Sequence, residues 1–156
     1  MNKEIIKNTK IEWDGIFSLE IPSSWIFVED DGVISIFDET NGVGVLQISF
    51  VKKDKYYKFS PKNIVVEFAE NFLAQQSHNF KKEKLCEYLI NDYPVSEMAL
   101  IEEETEANFW LVWHIQGRLR VASITYNCLL VDRNSEQNIC RSIISSFCWL
   151  DSNHQK

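Results

Sequence analysis

A nucleophile, a general base or a metal site in this chain would have to be assembled from three histidines and four cysteines. Nucleophilic hydrolysis needs a Cys or Ser within hydrogen-bond reach of a His. The pair on offer is Cys128 and His114, on neighbouring predicted strands. A turn at Gln116-Gly117 puts residue 114 near residue 119, which leaves Cys128 far along its strand. The two are therefore expected to be unrelated, and His114 to be a core or half-buried histidine. His78, His114 and His154 fall in a helix tail, a strand and a terminal tail, without the short ligand spacings that a metal site needs. Gly42-Val43-Gly44 lacks both the third glycine and the following helix of a phosphate-binding loop. No catalytic residue, metal or cofactor is expected.

Residues that could bind, as opposed to react, are easier to find. The run Glu102-Glu103-Glu104-Thr105-Glu106 reads either as a solvated hairpin tip or as an acidic docking patch, whose rim charges would raise the rate of encounter with a basic partner. Lys52-Lys53-Asp54-Lys55-Tyr56-Tyr57-Lys58 is the opposite feature, a flexible loop or an anion- or protein-binding one. Trp13 and Trp25 lie near predicted strand ends, where an indole can sit half exposed and anchor an interface, or pack in the core. The candidate partner-binding residues are thus Glu102, Glu103, Glu104, Glu106, Trp13 and Trp25.

Charge narrows the partners. The net charge is −7, spread evenly: residues 1–78 carry 8 basic and 12 acidic side chains, and residues 79–156 carry 8 and 11. Phosphate backbones are bound by clustered Lys and Arg, so nucleic acid is excluded as the expected ligand and a basic protein is the natural counterpart. Nothing in the sequence approaches the 18 or so apolar residues of a membrane span, and residues 1–10 have no apolar run of signal-peptide length. The cytoplasm is the expected compartment. Cys86, Cys128, Cys140 and Cys148 form no Cys-x-x-Cys pair and sit among apolar neighbours, which reads as buried free thiols in a chain large enough to need no staples.

The elements that must carry these residues are mostly strands. Residues 10–13 begin one, Asp14-Gly15 turns it, and 16–21 follow until Pro22. Residues 25–29 and 33–37 pair across Asp30-Asp31-Gly32, and 43–51 follow the turn at 38–42. Gly42 and Gly44 bracket Val43, which predicts a bulge there, or else a close approach of backbone to a neighbour. Ser60 and Pro61 mark a helix start, with Ile64, Val65, Phe68, Phe72 and Leu73 as its apolar stripe and an end near 75–77. Residues 79–84 read as polar connection, 85–90 as a strand and 91–94 as a turn. Three long strands follow at 95–103, 107–116 and 118–131. The middle one is apolar on both faces, so both must be covered. A last helix takes Asn134 as N-cap with Gln137 three residues on, and Ile139, Ile143, Ile144 and Phe147 as its stripe. Residues 147–150 close a single domain spanning 1–151, and 152–156 are expected to be a disordered tail. The fold class is α+β: one antiparallel sheet with a helix packed on each face.

That element order resembles the PsbP-like family. The local match is Ile16-Phe17-Ser18-Leu19-Glu20-Ile21-Pro22-Ser23-Ser24-Trp25, similar to the family's "phenylalanine, apolar, proline, two residues, tryptophan" entry into the domain. The stretch Asn138-Ile139-Cys140-Arg141-Ser142-Ile143-Ile144-Ser145-Ser146-Phe147 is similar to its closing helix. The family includes an extrinsic subunit of the photosynthetic oxygen-evolving complex, a nuclear-import factor that binds a small GTPase, and many small bacterial proteins. The resemblance implies an α/β/α sandwich that works as a binding or assembly module and brings no catalytic residues to carry over. The expectation is a non-enzymatic interaction module, monomeric or homodimeric, of which an immunity-type inhibitor masking a toxin is one concrete form. The alternative is a ligand-binding protein or enzyme with a pocket between the sheet and the first helix.

Overall fold

Alternation of apolar and polar residues writes most of this fold, and tight two-residue turns set its register. In the computed structural model, residues 7–53, 63–76 and 79–151 are described. The elements are β1 (Asn8–Trp13), β2 (Phe17–Pro22), β3 (Ile26–Asp30), β4 (Val33–Phe37), β5 (Gly44–Lys52), α1 (Val65–Ala74), β6 (Phe80–Ile90), β7 (Tyr93–Glu102), β8 (Asn108–Gln116), β9 (Arg120–Leu129), α2 (Gln137–Ser145) and β10 (Cys148–Trp149). Asp31 and Gly32 (φ 51° and 82°) join β3 to β4, and Asn91 and Asp92 (φ 47° and 67°) join β6 to β7. Both are left-handed pairs whose twist matches the flanking strands.

Not one sheet but two are formed. A seven-stranded antiparallel sheet runs β3-β4-β5-β9-β8-β7-β6, and a separate three-stranded sheet runs β1-β2-β10. The single sheet expected from the sequence is corrected because the β1–β2 hairpin pairs with no strand of the large sheet; it takes on β10, only two residues long, through Cys148↔Ser18 and Trp149↔Phe17. The expectation of a helix on each face holds. α1 lies over β7 and β8, where Ala69 packs on Met98, Leu100 and Val112. The opposite face is covered by α2 and the small sheet together, with Phe17, Leu19, Cys140, Ile143, Ile144, Phe147 and Trp149 against Ile36, Leu46, Leu111, Trp113 and Ile124. β8 serves both sides, Phe109, Leu111, Trp113 and Ile115 facing one and Val112 the other.

Other expectations are corrected in detail. Residues 79–84 are not a connection, since β6 begins at Phe80; it is an edge strand whose Lys81, Lys82 and Lys84 are exposed, and a register shift between Lys82 and Lys84 lets Glu83 bulge out. Charge and bulging of this kind blunt a sheet edge and also hide its alternation. Tyr93 and Pro94 belong to β7, not to the turn. β9 stops at Leu129 and passes into a 3₁₀ turn, Leu130–Asp132. His114 faces Ser123, not residue 119, because the loop 117–119 is longer than a two-residue turn. Gly44 pairs with Cys128 in uninterrupted register, so there is no bulge. A Cβ at Gly44 would fall 2.5 Å from the Asn127 carbonyl and 2.6 Å from the Tyr126 ring, so the glycine serves close approach. α2 starts at Gln137 with Glu136 in the N-cap position, while Asn134 accepts a hydrogen bond from the Gln137 side chain (2.7 Å). The described part of α1 starts at Val65, where Asn63 Oδ1 accepts the Val65 N–H (3.1 Å) and Gln116 Oε1 the Ile64 N–H (3.0 Å). Ser60, Pro61, residues 54–58 of the basic loop, His78 and the 152–156 tail lie outside the described residues.

Candidate protein-interaction surface

Trp13 and Trp25 are not brought together. They lie toward opposite ends of the β1–β2 hairpin, whose register runs from Trp13↔Phe17 to Asn8↔Pro22, with Trp25 three residues beyond. Trp13 is half-buried and stacks on Phe50 (centroids 5.7 Å apart, planes at 9°), whereas Trp25 is 8% exposed and belongs to the core. The idea of one tryptophan-bearing end of the sheet is corrected accordingly, since Trp13 closes β1 at the turn end of the hairpin and Trp25 follows β2 past its open end.

The acidic run does form the β7–β8 turn. Its carboxylates divide into two kinds. Glu102 accepts the indole N–H of Trp110 (3.2 Å), and Glu103 pairs with Lys81 (2.9 Å). Glu104 and Glu106 are exposed. Beside them lies an apolar feature that strand periodicity did not reveal. The Leu130 N–H bonds the Ala107 carbonyl (2.9 Å), which folds the 3₁₀ turn over the start of β8. This leaves Leu129 38% and Val131 88% exposed. An open depression of about 290 Å³ runs between them, lined by Thr105, Glu106, Ala107, Leu129, Leu130 and Val131. Continuing the Gly44↔Cys128 register by one residue brings Val43, also exposed, opposite Leu129. A second open depression of about 320 Å³, with Asp38 and Glu39 among its lining residues, covers that end of β5. The result is an apolar strip with carboxylates around it. A nearby cation, Arg133, is already committed: it holds Glu83 through two bonds (3.1 and 2.8 Å) and sits 4.4 Å over the Phe109 ring. Glu83 raises the pKa of Arg133 above its ordinary value. The one sign in the sequence that could have found this patch was the run Cys128-Leu129-Leu130-Val131, which breaks strand alternation.

A buried carboxylate braces the same end. Glu136 Oε1 accepts the Tyr126 hydroxyl (3.0 Å), the Gly44 N–H (3.0 Å) and, more weakly, the Val43 N–H (3.4 Å). Burial, with smaller contributions from Cys128 and Glu136, raises the Tyr126 hydroxyl above its ordinary pKa, so it stays a donor. Toward the far edge, Glu97 accepts the Trp113 indole N–H (2.7 Å) and the Tyr88 hydroxyl (3.0 Å) and pairs with Arg141 of α2 (3.3 Å). Burial, then the Glu97 charge, raises the pKa of Tyr88. Both nodes join elements: Glu136 ties α2 to β5 and β9, and Glu97 ties β7 to β6, β8 and α2.

His114 is 2% exposed, lies against Phe68 and Phe72 of α1 and meets the Ser123 hydroxyl through Nε2 (3.3 Å). Burial pushes its pKa down to about 4, and Nδ1 has no hydrogen-bond partner among the described residues. Cys128 pairs with Phe109, five positions along β8 from His114, so the two form no dyad. All four cysteines are free; Cys128 and Cys140 are buried as expected, but Cys86 and Cys148 only partly. Among the described residues no group of three His, Cys, Asp or Glu is placed to hold a metal, and no helix is long and apolar enough to cross a membrane.

No protein-family model matches this sequence, and no curated protein matches it. Solved structures do match. A protein of Bacteroides thetaiotaomicron aligns with 94% of this chain at 12% identity and a TM-score of 0.67, and the chain spans half of that protein's length. The Ran-binding protein Mog1p of Saccharomyces cerevisiae aligns over 96% of this chain and 98% of its own (9% identity, TM-score 0.67). Cyanobacterial PsbP (CyanoP) from Synechocystis aligns over 93% and 94% (11% identity, TM-score 0.63). Agreement of the whole backbone at such low identity is agreement in architecture, and the architecture of this chain is the PsbP-like fold.

Proposed function

We propose that this chain is a non-enzymatic, cytoplasmic protein-interaction module that binds its partner with the end of the sheet formed by the 102–106 turn and the Leu130–Asp132 turn. The observation that carries this reading is the exposure of Val131 and Leu129 beside the Glu104 and Glu106 carboxylates. An apolar centre excludes water and supplies affinity, while a charged rim sets orientation and encounter rate. The partner segment is therefore one that presents apolar and basic side chains together. An inhibitor that masks a basic toxin is one concrete form. Fold analogy supports an interaction role in general, since the yeast protein of the same architecture is a Ran-binding protein.

Glu102 and Glu103 are engaged within the chain, so Glu104 and Glu106 are the carboxylates to change. The test is quantitative capture from the source cell's lysate by the wild type, by Glu104→Ser/Glu106→Ser and by Leu129→Ser/Val131→Ser. A partner retained by the wild type and lost by the apolar variant, with the acidic variant showing slower, less salt-sensitive association, is the expected result. Equal retention by all three would remove this surface.

A further inference from the structure

The opposite end of the sheet carries a feature of the other sign. Where β5 ends beside the start of β9, Lys52 pairs with Arg120, and the Lys53 N–H bonds the Leu119 carbonyl (3.1 Å), which holds the 117–119 loop against β5. Lys52, Lys53, Leu119 and Arg120 line an open notch of about 220 Å³. Among the described residues none of those lining it is acidic, in a chain whose net charge is −7.

The cations here are incompletely matched. Arg120 Nε and Asp151 Oδ2 lie 3.2 Å apart as an ion pair, yet the N–H is not aimed at the oxygen, so neither buried atom completes a hydrogen bond. Lys52 and Lys53 have no ion pair among the described residues. Lys53 is partly buried, that burial lowers its pKa, and no carboxylate among the described residues offsets it. Desolvating an ammonium without a counter-charge is unfavourable, and an anion arriving from solvent would supply one.

We propose that this notch is an oxyanion site that takes a phosphate group, free or as a small monoester, between Lys53, Lys52 and Arg120. A tetrahedral dianion offers several acceptors to donors arriving from separate directions, and lysine binds phosphate as a point charge. The overall negative field keeps the ligand small, because a polyanion would be repelled beyond the notch.

The test uses the full chain and backbone amide NMR. Inorganic phosphate and glycerol phosphate are titrated separately, with ionic strength held constant by sodium chloride. Saturable shifts at Lys52, Lys53, Leu119 and Arg120 are expected with at least one of the two, and which one identifies free phosphate or a monoester as the ligand. Lys53→Gln should weaken binding about fivefold, the scale of a partly exposed ion pair, and Lys52→Gln/Lys53→Gln should remove it, with the rest of the spectrum unchanged. No saturable shift at the notch from either ligand, equal shifts in the double variant, or shifts that chloride alone reproduces would each overturn the proposal.

Discussion

The Tyr126 hydroxyl donates to Glu136 Oε1 at 3.0 Å, and that bond ties the middle of β9 to the residue that opens α2. The same oxygen receives the Gly44 N–H, so one buried carboxylate fastens three elements at the end of the sheet that bears the apolar strip. A carboxylate is retained in such a place only with its lone pairs satisfied.

Removing one donor should therefore cost less than removing the acceptor. Tyr126→Phe is expected to lower the unfolding free energy by about 1–2 kcal/mol. Glu136→Leu leaves the hydroxyl and two backbone N–H groups without their acceptor and should cost about 3 kcal/mol or more. Urea denaturation followed by tryptophan fluorescence reads both. Equal stability of wild type and Tyr126→Phe would mean that the bond contributes nothing.

Acidification should act through His114. The unfolded chain takes up the imidazole proton near the ordinary pKa of 6.5, whereas the folded chain resists it until about 4. Between those values the unfolded state binds more protons, so stability is fully present above about pH 6.5 and falls as the pH drops toward 4. A depression of that size corresponds to about 3 kcal/mol. Comparing the wild type with His114→Leu across pH 7 to 4 isolates this contribution from the carboxylates, and the variant should show a shallower loss. Parallel curves would contradict it.

Thiol reactivity should follow burial and not sequence position. Burial pushes the Cys128 and Cys140 thiols above their ordinary pKa, and both are enclosed in the core. Cys86 and Cys148 are only partly buried. A short treatment of the folded chain with iodoacetamide, read by mass spectrometry, should label the second pair well before the first. Equal labelling of all four in the folded state would show that the core around Cys140 opens readily.

Much of the architecture is legible from local chemistry. Asp30-Asp31-Gly32 supplies a left-handed pair between two alternating runs, so the β3–β4 hairpin is written in a dozen residues. Ile139, Ile143 and Ile144 recur at helical spacing, so the existence of α2 is written in its own turns. The doubly apolar β8 announces that both faces of the sheet are covered. The first half of β6 is illegible because an edge strand of exposed lysines has little buried face to impose alternation. β10 is illegible because two residues carry no period; its strand forms because Trp149 packs against Phe147 and Phe50, which places the chain beside β2.

The sequence by itself determined most of the elements, the covering of both faces of β8 and the acidic turn, since each depends on neighbours a few residues apart. Only the tertiary structure decided which side chains share a surface. The β5–β9 register, continued one residue past Gly44↔Cys128, aligns Val43 with Leu129, and the bond from Leu130 to Ala107 puts Val131 and Glu106 on the rim of one depression. Trp13 and Trp25, twelve residues apart, are separated by the length of the hairpin they flank. Contacts of this kind depend on pairings between distant segments, whose register is set by the packing of the whole core and not by any stretch within it.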